Sequence, residues 1–194
     1  MSEEIIIVSG LPRSGTSLIM QMLQAGRVPI LTDKARQPDK ANPRGYFEHE
    51  AVKDLQNRPK FISEASGKAV KVISHLLQYL PPGYSYKVIF VQRNLDEVLD
   101  SQEKLLAHLQ NSESADRDHF KNIYRKHLTE VRKQLANRSD TENLYLHYEE
   151  IITNPHSASQ AIEQFLGQEL DIMQMQQVVD PVLYRNRREQ DSNV

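Results

Sequence analysis

Eight residues near the start of the chain, GLPRSGTS at positions 10–17, combine the residue types and spacing that bind phosphate. Gly10 and Gly15 are separated by four residues, and the hydroxyls of Thr16 and Ser17 follow directly. The segment comes after an unbroken apolar run, Ile5 to Val8, and before a helix-period pattern with Leu18, Ile19, Met22 and Leu23 on one face. In such a strand–loop–helix unit, backbone N–H groups at the helix start converge on an anion, the helix dipole adds positive potential, and small residues allow close approach. Arg13 adds a guanidinium, and Ser14, Thr16 and Ser17 add hydroxyl donors. The pattern matches a phosphate-binding loop at every position except one: Thr16 stands where a lysine would reach the outer phosphates of a nucleoside triphosphate.

A second strand, YKVIFVQ over residues 86–92, ends in Arg93. In metal-dependent nucleotide hydrolases and kinases, an Asp that helps to hold Mg²⁺ ends such a strand. A cation there argues for a second phosphate position and against a metal-bound triphosphate. Arg93 presents paired N–H donors to a dianion, and Ser101 lies about two helical turns further on if a helix begins near Asn94.

Three segments together resemble the sulfotransferases that use 3′-phosphoadenosine 5′-phosphosulfate (PAPS) as donor. LPRSGTSL resembles that family's 5′-phosphosulfate loop, with Arg13 in the position of its usual lysine. VIFVQRNLDEVLDSQ resembles its 3′-phosphate motif, in which an Arg ending a strand and a Ser eight residues later hold the 3′-phosphate; Arg93 and Ser101 have that spacing. LYLHYEEIITNP, followed by AIEQFLG, resembles its later strand, turn and closing helix, with Tyr148 where an adenine-contacting Tyr often lies. The resemblance spans residues 5 to about 167 and implies sulfuryl transfer from PAPS to a hydroxyl or amine of a small-molecule acceptor, with PAP as product.

The same resemblance implies a base at the end of the strand preceding the Arg93 strand, where His75 ends AVKVISH. The family's lysine two residues before that histidine is absent: Ile73 stands there, and the nearest lysine is Lys71. A regular strand places Lys71, Ile73 and His75 on one face at period two. His49 and Glu48, in the NPRGYFEHE segment where an acceptor loop is expected, are the reserve bases. In-line sulfuryl transfer needs a base and cationic stabilisation of the leaving phosphate oxygen, for which Arg13 is placed, and it requires no metal. The basic C-terminal segment LYRNRR, with Arg185 and Arg187, is similar in type to the segment that closes over the 3′-phosphate in that family. A small-metabolite kinase and a non-catalytic nucleotide-binding protein are the rival readings.

These residues need a scaffold. A continuous apolar strand followed at once by a helix fits a parallel sheet covered on both faces. The expected architecture is therefore an α/β three-layer sandwich with a mainly parallel sheet. Strands are expected at Ile5–Val8, Ala69–Ser74, Tyr86–Gln92 and Asn143–His147, and helices after Gly15, near Glu48–Asn57, over Leu95–Leu109, over Phe120–Leu135 and over Ala158–Leu166. Residues 27–47 read as irregular and residues 111–116 as a polar linker.

With 194 residues and no internal repeat, a single domain over 1–194 is expected. The 24 basic and 26 acidic side chains give a formal charge of −2, which supplies no global field for nucleic acid or an anionic membrane. Zero Cys excludes disulfides, thiol nucleophiles and thiolate metal sites. The remaining histidines share no metal-ligand spacing, and no apolar run reaches membrane-spanning length. A cytoplasmic protein is expected.

Overall fold

The structure is a computed structural model that describes residues 4–33, 45–108 and 117–183. Five strands form one sheet in the order β2-β3-β1-β4-β5: β1 (Ile5–Gly10), β2 (Ile30–Leu31), β3 (Ala69–Lys71), β4 (Tyr86–Gln92) and β5 (Thr141–His147). Every neighbouring pair is parallel; β1 sits between β3 and β4, with Val8 opposite Lys71 on one side and Ile89 on the other. Helices α1 (Thr16–Ala25), α2 (Leu95–His108), α3 (Arg117–Asn137), α4 (Tyr148–Thr153), α5 (Pro155–Leu166) and α6 (Ile172–Gln177) complete the described elements, together with short 3₁₀ turns.

The sheet has a core on each face, which explains why β1 and β4 lack an alternating pattern. Ile6 and Val8 face α1, α4, α5 and α6, packing with Ile19, Leu23, Ile151, Ile162 and Met175. Ile5 and Ile7 face the opposite way, into Leu55, Ile62, Phe90, Val131 and Leu135 under α3 and the 3₁₀ turns. This is the expected three-layer α/β/α sandwich, with the sheet wholly parallel. Parallel strands deliver their C-terminal ends to one edge, where ligands bind in open α/β sheets. The loop after β1, Arg93 after β4 and Tyr148 after β5 all lie there.

Several expectations need correction. The strand expected at Ala69–Ser74 ends at Lys71, and Ser74–Tyr79 is a 3₁₀ turn. His75 therefore does not share a strand face with Lys71 and Ile73. The helix expected at Glu48–Asn57 is a 3₁₀ turn over Glu50–Asp54, followed by another over Pro59–Ala65, with Pro59 at the first position of the second turn. The irregular stretch holds the two-residue strand β2, which pairs Ile30 with Ala69. The linker at 111–116 and Leu109 lie outside the described residues.

Candidate active site

The loop after β1 is built around a tight turn. The Ser14 amide donates to the Leu11 carbonyl at 3.1 Å across Pro12 and Arg13, and Arg13 has φ 71°. Proline in the second position and a positive φ in the third are the marks of a type II turn, whose third position ordinarily takes glycine. An arginine there stores backbone strain of about 1–3 kcal/mol. Gly15, at φ 109°, precedes α1 and turns the chain into the helix. The first amides of α1 point out of the helix start, as at any helix N-terminus. Among the described residues, Ser14 Oγ is buried without a hydrogen-bond partner. An unpaired buried hydroxyl between Gly10 and the helix start suits a phosphate oxygen.

The side chains read from sequence as one site do meet. Arg13 Nε donates to Ser101 Oγ at 2.9 Å, joining the loop to α2 across 88 residues. Arg93 Nη1 donates to the Arg13 carbonyl at 3.1 Å. The guanidinium of Arg93 stacks over the Tyr148 ring, 4.4 Å from its centroid. Tyr148 lies in turn against Gly15, where an added Cβ would collide with the ring. Burial pushes the Tyr148 phenol above its ordinary range, with Arg93 and Arg13 pulling the other way and Glu97 adding to the rise. The phenol is therefore a neutral hydrogen-bond donor at physiological pH. A cleft of about 730 Å³ opens beside this cluster, shares Arg93, Glu97 and Tyr148 with it, and is walled by Arg125 and Arg132 of α3.

One residue here, Glu97, escaped the sequence reading, and the contacts of another, Lys71, were left open by it. Glu97, 3% exposed, accepts from Arg93 Nε at 2.9 Å, one helical turn away. Its signal was the i,i+4 spacing from Arg93, which becomes meaningful only when both side chains are buried. Lys71, 6% exposed, reaches the start of α1 from β3. Its Nζ donates to the Tyr46 carbonyl and lies 3.3 Å from Glu48 Oε1 and 3.5 Å from Ser17 Oγ. Ser17 Oγ also donates to the Tyr46 carbonyl, at 3.3 Å. A lysine at the C-terminal end of an otherwise apolar strand was the available clue. Residues 45–49 are thus pinned beside the loop after β1, and Thr32 Oγ1 donates to the Glu48 carbonyl at 2.7 Å.

The candidate bases have different surroundings. His49 is committed to structure: Nδ1 accepts the Ala51 amide at 3.3 Å, and the ring stacks on Phe61 with centroids 4.5 Å apart. His75 is exposed, and its carbonyl accepts from Gln78 Nε2. Next to it, Ser74 Oγ lies 2.8 Å from His127 Nε2 of α3. Burial lowers the His127 pKa, and the nearby His75 charge lowers it further. Arg44, Tyr184, Arg185, Arg187 and Arg188 lie outside the described residues. Among the described residues, no group of three or more His, Asp or Glu is placed to hold a metal ion, and no helix is long and apolar enough to cross a membrane.

Comparison with known proteins adds the family. The sequence has no significant match among curated proteins. Among solved structures, the sulfotransferase domain from the curacin biosynthetic pathway superposes with a TM-score of 0.57 at 14% identity, covering 92% of this chain and 78% of that one. Mouse sulfotransferase SULT7A1 complexed with PAP gives 0.58 at 15% identity, covering 100% and 71%. Retinol dehydratase in complex with androsterone and the inactive cofactor PAP gives 0.54 at 18% identity, covering 90% and 62%. These likenesses establish a shared fold. The sulfotransferase domain model matches residues 3–193, nearly the whole sequence, and the chain belongs to that family of sulfuryl-transferring enzymes.

Proposed function

We propose that this protein transfers a sulfuryl group from PAPS to a hydroxyl or amine of a small-molecule acceptor. The observation that carries the reading is the convergence of Arg13, Ser101, Arg93 and Tyr148 on the glycine loop, which supplies two cationic positions on adjacent strand ends. The loop of Ser14, Gly15, Thr16 and Ser17 would take the 5′-phosphosulfate. Arg93 and Ser101 would take the 3′-phosphate, and Tyr148 would lie along the nucleoside. Retinol dehydratase, with a steroid in its structure, supports a small organic acceptor.

In the transfer, the acceptor oxygen or nitrogen bonds to sulfur as the bond from sulfur to the 5′-phosphate oxygen breaks. The acceptor proton passes to the His75 imidazole, and Arg13 stabilises the charge that develops on the leaving oxygen. A kinase is disfavoured by Thr16 in the lysine position and by Arg93 at the strand end.

The test follows release of PAP from PAPS over a panel of phenols, alcohols and amines. We expect turnover by the native protein and a loss of about 10²–10⁴-fold in His75→Ala, with PAP affinity retained. Loss in Glu48→Gln and retention in His75→Ala would move the base to Glu48, whose carboxylate Lys71 holds near Ser17. Binding of PAP without turnover on any acceptor would favour a non-catalytic nucleotide-binding protein.

A further inference from the structure

The proposed 3′-phosphate position already contains a negative charge. Glu97 is 3% exposed, and its carboxylate takes the Arg93 Nε–H at 2.9 Å. The Arg93 and Glu97 side chains retain only 8% and 4% of their exposure, so water screens the pair poorly. Glu97 sits in the first turn of α2, where the helix dipole favours an anion. Burial chiefly raises the Tyr148 pKa, Arg93 opposes the rise and Glu97 adds to it. A phosphate dianion bound to Arg93 therefore meets the Glu97 carboxylate on the same guanidinium, in surroundings where like charges repel strongly.

We propose that Glu97 is a built-in counter-anion that holds Arg93 in place in the empty site and, by opposing the 3′-phosphate, weakens nucleotide binding so that product can leave. The inference rests on the two-phosphate reading above. Glu97 acts through Arg93 and is a positioning residue. Its two effects can be separated: the charge sets the repulsion, whereas the hydrogen bond to Nε sets the orientation. Glu97→Gln keeps an acceptor oxygen on a side chain of the same length and removes the charge. A purely structural role predicts that this change weakens binding or leaves it unaltered. A counter-anion predicts tighter binding, confined to ligands that carry a 3′-phosphate.

The experiment is calorimetric titration of native protein and Glu97→Gln with PAP and with adenosine 5′-monophosphate, which brings no charge to Arg93. The expected result is PAP binding about tenfold tighter in the variant, as one removed like charge at short range would give, with the monophosphate unchanged to within about twofold. Product inhibition by PAP should strengthen in parallel. If Glu97→Gln does not fold, Glu97→Asp keeps a carboxylate on α2 and draws it back from Arg93; the same ordering is expected by a smaller margin. PAP binding equal to or weaker than that of the native protein, in whichever variant folds, overturns the proposal. A native protein that binds PAP no better than the monophosphate overturns instead the two-phosphate reading beneath it.

Discussion

Gly15 has almost no room for a side chain. Its φ of 109° lies where side chains are strained, and an added Cβ would collide with the Tyr148 ring. That ring supports the Arg93 guanidinium, so a methyl group at Gly15 acts on Arg93 through the tyrosine. Gly83 provides the control: its φ is 92°, yet nothing lies within 4 Å of an added Cβ. Gly83→Ala should therefore cost only backbone strain, about 1 kcal/mol, and leave nucleotide binding unaltered. Gly15→Ala should cost about 2–4 kcal/mol and weaken PAP binding more than tenfold, read by denaturant unfolding and titration. That Arg13, Arg93, Ser101 and Tyr148 come together was legible in the sequence, because each occupies a fixed offset from a strand or loop signal. The Lys71 contacts and the Glu97 pairing were not, because they come from burial beside residues distant in the chain or from a pairing that only burial makes consequential.

At the level of elements, β1 and β4 were legible because a strand covered on both faces is apolar throughout, and each face meets its own core. The end of β3 was not legible. The Val72 amide still bonds the Val8 carbonyl, so the chain follows β1 for one more residue before Ser74 turns it into a 3₁₀ segment. The run VISHLL is apolar enough to continue a strand, yet it turns and packs against α3. That packing includes the Ser74–His127 contact at 2.8 Å, which has a pH consequence. The folded protein holds the His127 pKa below its ordinary 6.5, chiefly through burial. The unfolded chain then binds more protons than the folded one in the window just below that ordinary value. Stability should fall as pH drops through this window and be fully restored above it. Comparing thermal unfolding at pH 7.5 with unfolding at pH 5.5, the native midpoint should drop by more than that of His127→Asn, which keeps a polar partner for Ser74 but does not titrate. Equal drops would mean that other groups carry the acid sensitivity.

On the scale of the molecule, a chain of formal charge −2 concentrates cations where three parallel strands end. The loop after β1, Arg93 after β4 and Tyr148 after β5 belong to different strands joined edge to edge, with α2 tied in by Ser101. A ligand that bridges them crosses the centre of the sheet and braces elements that must separate on unfolding. Such a ligand stabilises by mass action, about 2.7 kcal/mol at 100 times its dissociation constant. For a chain of this size that is roughly 5–10 °C in the unfolding midpoint. If PAP engages both phosphate positions as proposed, it should give this shift. Adenosine 5′-monophosphate at the same concentration should give a much smaller one, and ATP with Mg²⁺ should not exceed it, since no lysine follows Gly15 to draw in a triphosphate. Arg93→Ala should remove the difference between PAP and the monophosphate while leaving the response to the monophosphate in place. A shift with ATP and Mg²⁺ but none with PAP would mean that the two-cation arrangement serves a triphosphate after all. A PAP shift that survives in Arg93→Ala would place the second phosphate somewhere other than the end of β4.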